Sequence, residues 1–140
     1  MRSIQELLQG ISVGVSPGQL LPGVMIGDTV RVHASIDYRG SALSDTFYAA
    51  IGNRFVYFDE IWYGTSPVSF AKSVDWRTYE MSADITITEI GLAPWTPGVF
   101  DLYVKLLENP GAGMPELSNV IEILLKPDFR NFAIASYEVV

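Results

Sequence analysis

The chain of 140 residues contains no cysteine. Disulfides, thiolate metal sites and a cysteine nucleophile are therefore excluded. Histidine is reduced to one residue, His33, which rules out a histidine-rich metal cluster. His33 stands between Val32 and Ala34 on the polar face of a strand pattern, where a solvated or hydrogen-bonded surface residue is expected; the sharper alternative is a pH-sensitive contact. Basic residues are also scarce, nine against sixteen acidic for a net charge of −7. The nine are scattered, so the clustered Lys and Arg that bind phosphates are missing, which argues against nucleic acid and anionic membrane surfaces. No apolar run approaches the ~20 residues of a membrane span. The first ten residues lack the apolar core of a signal peptide, and a cytoplasmic or virion-associated location is expected.

Catalytic patterns are equally thin. No Gly-rich loop precedes a helix, so a phosphate cradle has no support. Asp59 and Glu60 are adjacent and on a strand point to opposite faces. Asp45 is placed to approach one of them across strands, although a charge that discourages edge pairing is the simpler account. Asp84 and Asp101 alternate with apolar residues, and solvent exposure is expected of both. With no recognisable base, nucleophile and oxyanion donor, the reading is that the chain is not an enzyme and uses no metal or cofactor.

What the chain does have is apolar and aromatic material: 49% hydrophobic residues, seven Tyr, seven Phe and three Trp. That is ample to offset the entropy of ordering, and the length suits one domain. Ser3 and Glu6 have capping-box spacing with Ile4, Leu7 and Leu8 behind them, which predicts a short helix over 3–9 within an N-terminal arm, residues 1–10. From Ile11 the hydrophobic period becomes two. Ile11, Val13 and Val15 begin the pattern; Leu20 to Ile26 follows, interrupted by Pro22-Gly23 as in an edge segment.

Val30, Val32, Ala34, Ile36 and Tyr38 then share one face. Phe47, Ala49 and Ile51 share another, and 54–63 carries aromatics on both faces. Val68 to Val74 reads as a short strand, and Tyr79 to Ile87 as a long one. Val99 to Leu107 follows a Pro97-Gly98 turn, Asn109 to Pro115 is a loop, and Asn119 to Lys126 closes the set. Seven to nine short strands in an antiparallel all-β sandwich are expected over 11–126, with a closed barrel as the architectural alternative. Residues 127–140 read as an extended tail outside it.

Two stretches carry a family likeness. Ile26-Gly27-Asp28-Thr29-Val30-Arg31-Val32-His33-Ala34 resembles the G-D-T-V-x-V entry to the second strand of bacterial and archaeal immunoglobulin-like modules of the CARDB-like kind. Pro97-Gly98-Val99-Phe100-Asp101-Leu102-Tyr103-Val104-Lys105 resembles their P-G-x-Y-x-L entry to the penultimate strand. The likeness spans roughly residues 10–126 and implies an immunoglobulin-like β-sandwich with no catalytic residues. The aromatic segment 55–63, the N-terminal helix and the tail lie outside the family pattern and suit a free-standing subunit.

Function is expected to lie in the aromatics. Phe55, Tyr57, Trp62, Tyr63, Trp76 and Trp95, with Leu7 and Leu8 of the arm, are the candidate platform. Trp and Tyr rings anchor protein interfaces and also stack on sugars, while the plain alternative is that they fill the core or cap its ends. The leading expectation is a structural or interaction subunit that self-associates as a homo-oligomer or larger assembly, or docks to a protein partner, in the setting of a phage or virus particle. The alternative is a carbohydrate-binding or cell-surface adhesion module.

Overall fold

The alternating segments become seven strands in the structure, a computed structural model that describes residues 15–54, 58–89, 98–125 and 129–140. They are β1 (Leu21–Met25), β2 (Thr29–Gly40), β3 (Leu43–Arg54), β4 (Phe58–Phe70), β5 (Ser73–Thr86), β6 (Val99–Leu106) and β7 (Glu116–Leu124). A 3-10 turn, Pro110–Ala112, is the one helical piece among the described residues. The fold is all-β. The expected helix over 3–9, most of the strand from Ile11, and the candidates Leu7, Leu8, Phe55, Tyr57 and Trp95 lie outside the described residues.

The strands form a five-stranded sheet in the order β1-β7-β6-β3-β4 and a two-stranded sheet of β2 and β5. All pairings are antiparallel except β1 with β7, which is parallel. Period-two alternation sends one face of each strand inward. Val30 and Val32 of β2, Phe47, Ala49 and Ile51 of β3, Ala83 and Ile85 of β5, Phe100 of β6 and Ile121 and Ile123 of β7 meet in one core between the two sheets. Turn geometry sets the entry to β2. Gly27 takes a positive φ of 99°, its amide donates to the Ile87 carbonyl, and the Ile87 amide donates back to Asp28. The β2–β5 ladder therefore extends one residue beyond the paired ends, to Asp28 before β2 and Ile87 after β5.

Two expectations about strand limits need correction. Val68, Phe70, Lys72 and Val74 do not form a strand of their own. β4 runs through Pro67 to Phe70, and β5 begins at Ser73. Pro67 is tolerated because β4 lies at the end of its sheet, where a missing N–H breaks no central ladder. The break at Ala71-Lys72 is closed by the Ala71 amide donating to the Tyr79 hydroxyl, 2.9 Å.

Beyond that break β5 returns alongside β4, but the two are joined by side chains rather than a backbone ladder. Trp62 Nε1 donates to the Thr88 carbonyl at 3.0 Å, and Ser66 Oγ to the Ser82 carbonyl at 2.6 Å. Between them Gly64 lies against the backbone of Asp84, where an added Cβ would stand 2.0 Å from the Asp84 carbonyl oxygen. Only a residue without a side chain lets the two sheets approach this closely.

At the opposite border β1 carries Pro22-Gly23, and its register against β7 slips between Leu21 and Val24. The freed backbone is satisfied by acidic side chains: the Gly23 amide donates to Glu122 and the Met25 amide to Asp28. The β6–β7 register also shifts, between Phe100 and Leu102. There Asp101, expected at the surface, is buried; its Oδ1 accepts the amide of Asn119, which sits at φ 55°. Solvent exposure was the wrong expectation because the extra residues of β7 fold over the carboxylate.

Candidate functional site

The outward faces of the two sheets differ in chemistry. On the small sheet, cross-strand neighbours are polar: Thr29 meets Thr86, Arg31 makes a two-pronged ion pair with Asp84 at 2.7 and 3.0 Å, and Thr78 donates to Asp37. The Arg31 hydrogen bond holds the Asp84 carboxyl below its ordinary range. Asp84 is thus at the surface as expected, and His33 is exposed on the same face. Such pairs stabilise a ladder modestly and leave it wet.

The outward face of the large sheet is aromatic. Because Phe47, Ala49 and Ile51 point inward, Tyr48 and Ala50 point out, and the register places Tyr63 of β4 and Tyr103 of β6 on either side of Ala50. Tyr48 stacks on Tyr63 with centroids 5.4 Å apart and meets Tyr103 edge-on at 6.0 Å. Lys105 Nζ lies 5.0 Å from the Tyr48 ring centroid and 5.9 Å from that of Tyr103, within cation–π range. The small Ala50 side chain gives the cluster its floor. Tyr48 is buried beneath its neighbours, while Tyr63 remains 57% exposed.

The expected aromatic platform is therefore redistributed. Tyr63 is on this face. Trp62, its chain neighbour, points the other way: it is 3% exposed, belongs to the core, and packs edge-on against Phe100 at 5.4 Å. It cannot anchor a surface contact, because alternation along β4 sends adjacent residues to opposite faces. Trp76 is exposed, but at the far end of the β2–β5 ladder, under the Arg39 guanidinium at 4.6 Å. That end has its own aromatic packing, with Phe70 4.7 Å from Tyr38 and 4.9 Å from Tyr79. Tyr63 and Trp76 do not share a surface. The sequence reading missed Tyr48 and Tyr103; their signal was an aromatic on the outward phase of a strand whose inward phase was already filled.

The carboxylates do not assemble either. Asp45 pairs in register with Val68, at the opposite end of the β3–β4 ladder from Asp59 and Glu60, which face Asn53 and Gly52. It is buried and accepts three hydrogen bonds: Thr46 N at 2.6 Å, Glu108 N at 2.9 Å and Asn109 Nδ2 at 2.5 Å. Burial pushes its pKa up, but these donors outweigh burial and hold it below the ordinary value. Asp45 fastens the turn after β6 to the start of β3, a structural role.

Two further features bear on association. Between β1 and β2 the sandwich is open, forming a cleft of about 920 Å³. Its lining includes Leu21, Val30, Val32, Leu102, Leu117 and Ile121. Beyond β7, residues 129–140 join no sheet. Phe129, Phe132, Ile134, Tyr137, Val139 and Val140 there are 83–109% exposed. Among the described residues no helix is long and apolar enough to cross a membrane. No protein-family model matches the chain, and no curated protein or solved structure matches it.

Proposed function

We propose that the chain is a non-catalytic structural subunit that associates with copies of itself or with a protein partner, built on an immunoglobulin-like sandwich. The strand order supports the scaffold: β7-β6-β3-β4 follows the G-F-C-C′ sheet of such domains, and β2-β5 follows B-E. The observation that carries the function is the segment 129–140, with six large apolar side chains almost wholly in water. Lone apolar residues at a surface are ordinary, but a contiguous set demands cover. A repeating particle such as a phage or virus shell is the setting in which a small subunit of this kind finds it, an analogy at the level of fold. Light scattering coupled to size exclusion over a wide concentration range tests this. A defined oligomer is expected; a strict monomer throughout overturns self-association.

A second reading, a carbohydrate-binding module, rests on Tyr63, Tyr48 and Tyr103 with Lys105. The exposed Tyr63 ring, backed by Tyr48 and Tyr103, presents an apolar face to sugar C–H groups. Calorimetric titration with an oligosaccharide panel is expected to show binding that Tyr63→Ala removes. Absence of heat across the panel rejects it.

A further inference from the structure

We propose that residues 129–140 of one copy enter the cleft between β1 and β2 of another, adding a strand to the open border of the sandwich. The inference rests on the self-association reading and names its joint.

The cleft and the segment answer one another. β2 is hydrogen-bonded to β5 and β1 to β7, and neither has a second partner strand among the described residues. β2 borders the cleft with backbone donors and acceptors that an added strand would satisfy, while β1, whose Gly23 and Met25 amides are already taken by Glu122 and Asp28, forms the facing wall. The cleft floor is the inward face of β6 and β7, apolar through Leu102, Leu117 and Ile121. It would receive the alternate side chains of such a strand.

The segment supplies them. Phe132 and Ile134, two residues apart, fall on one face of an extended chain, and the Ala residues at 133 and 135 face away. The intervening side chains are thus small where a strand must slide between two borders. The length also fits. Twelve residues extend over about 40 Å, against about 17 Å for the five residues Thr29 to His33 that line the cleft. The excess leaves room for a crossing between molecules.

In the structure the segment's own side chains stand in water and none of them lines the cleft, so a second copy is the occupant assigned. One-way insertion, head to tail, builds a ring or filament; mutual insertion closes a dimer.

The absence of native cysteine makes the test clean. The full chain carrying Ile134→Cys is mixed with the full chain carrying Leu21→Cys and oxidised, with Tyr63→Cys on the outward face as the control position. A heterodimer of the 134 and 21 variants, much above that formed with position 63, is expected. In parallel, Phe132→Ser with Ile134→Ser is expected to raise the dissociation constant of the assembly about 100-fold. The urea midpoint measured below the association range should not move, because both residues are exposed in the monomer.

If the double serine variant associates as before, or the 134–21 heterodimer is no more frequent than the control, the joint is wrong while self-association stands. A disulfide forming within one chain that carries both cysteines assigns the cleft to the chain's own tail and overturns the proposal. So does a disulfide within one chain between Leu8→Cys and Leu21→Cys, which assigns the cleft to the N-terminal arm. A chain that is monomeric at every concentration overturns the function reading and this inference together.

Discussion

Gly64 is where the packing argument is most exposed to test. Substitution by Ala adds one methyl group, and the position is an ordinary-looking glycine in a strand. In the structure that methyl would lie 2.0 Å from the Asp84 carbonyl oxygen and 2.7 Å from its carbon. Both are backbone atoms of β5, so no rotamer change relieves the overlap. Reaching even 3.0 Å, the tight limit of real Cβ contacts, needs a further 1.0 Å of separation between β4 and β5.

A gap of that size forfeits a quarter to a half of each dispersion contact it opens, so the buried Trp62 and Ile85 side chains flanking the site would lose about 1–3 kcal/mol together. The same movement stretches the Trp62–Thr88 and Ser66–Ser82 hydrogen bonds, about 1 kcal/mol each. The sum is about 3–5 kcal/mol, a large part of a domain's net stability. Urea unfolding followed by far-UV circular dichroism, at one fixed protein concentration, measures it, with a melting temperature lowered by about 10–20 °C as the companion value. Gly111→Ala is the control: nothing lies within 4 Å of its added Cβ, and a change of no more than about 0.5 kcal/mol is expected. If Gly64→Ala stays within about 1 kcal/mol of the parent, the two strands are not in the contact described, and the account of how the sheets join fails.

Asp45→Ala leaves the amides of Thr46 and Glu108, which make partly buried hydrogen bonds to it, without their acceptor and should cost about 2–4 kcal/mol, read by the same unfolding assay. Asp45→Asn keeps one oxygen for both amides, and Asn109 can turn its own amide oxygen to the new nitrogen, so about 1 kcal/mol is expected. The pH dependence has a fixed sign. Because the folded carboxyl sits below its unfolded value, its contribution is complete above about pH 4 and is lost as pH falls through the depressed folded value. The parent and Asp45→Asn curves should converge on acidification, and curves that stay parallel refute the assignment. Trp62→Ala should lose about 3–5 kcal/mol, with Trp62→Phe losing less, and at concentrations where both remain folded neither should change the mass measured by light scattering.

Much of the fold was legible in the chain because alternation is a local signal. Val30 and Val32, Phe47, Ala49 and Ile51, and Ala83, Ile85 and Ile87 fell on the buried faces that their period of two assigned. Strand limits were less legible. Pro67 reads as an interruption unless one knows that β4 ends its sheet, and that is a fact about topology. The site suffered most. Tyr48, Tyr63 and Tyr103 come from three strands, β3, β4 and β6, and only the order of strands in the sheet makes them neighbours. Asp101 misled for a related reason: its alternation says "outward", but the extra residues of β7 that cover it are a property of pairing. Trp62 was misassigned although the signal was present, since its partner in the alternation, Tyr63, could not share its face.

The parallel pairing of β1 with β7 has a consequence during synthesis. Leu21 pairs with Ile121, one hundred residues later, so on a ribosome adding about 5–20 residues per second the first strand waits roughly 5–20 s for its partner to be made. Throughout that interval β1 is a nascent strand with nothing to hold. Pro22 and Gly23 sit inside it, one lacking an amide hydrogen and the other poorly disposed to stay extended. The residues that break its register against β7 in the finished molecule also make it a poor template for any other strand while it waits.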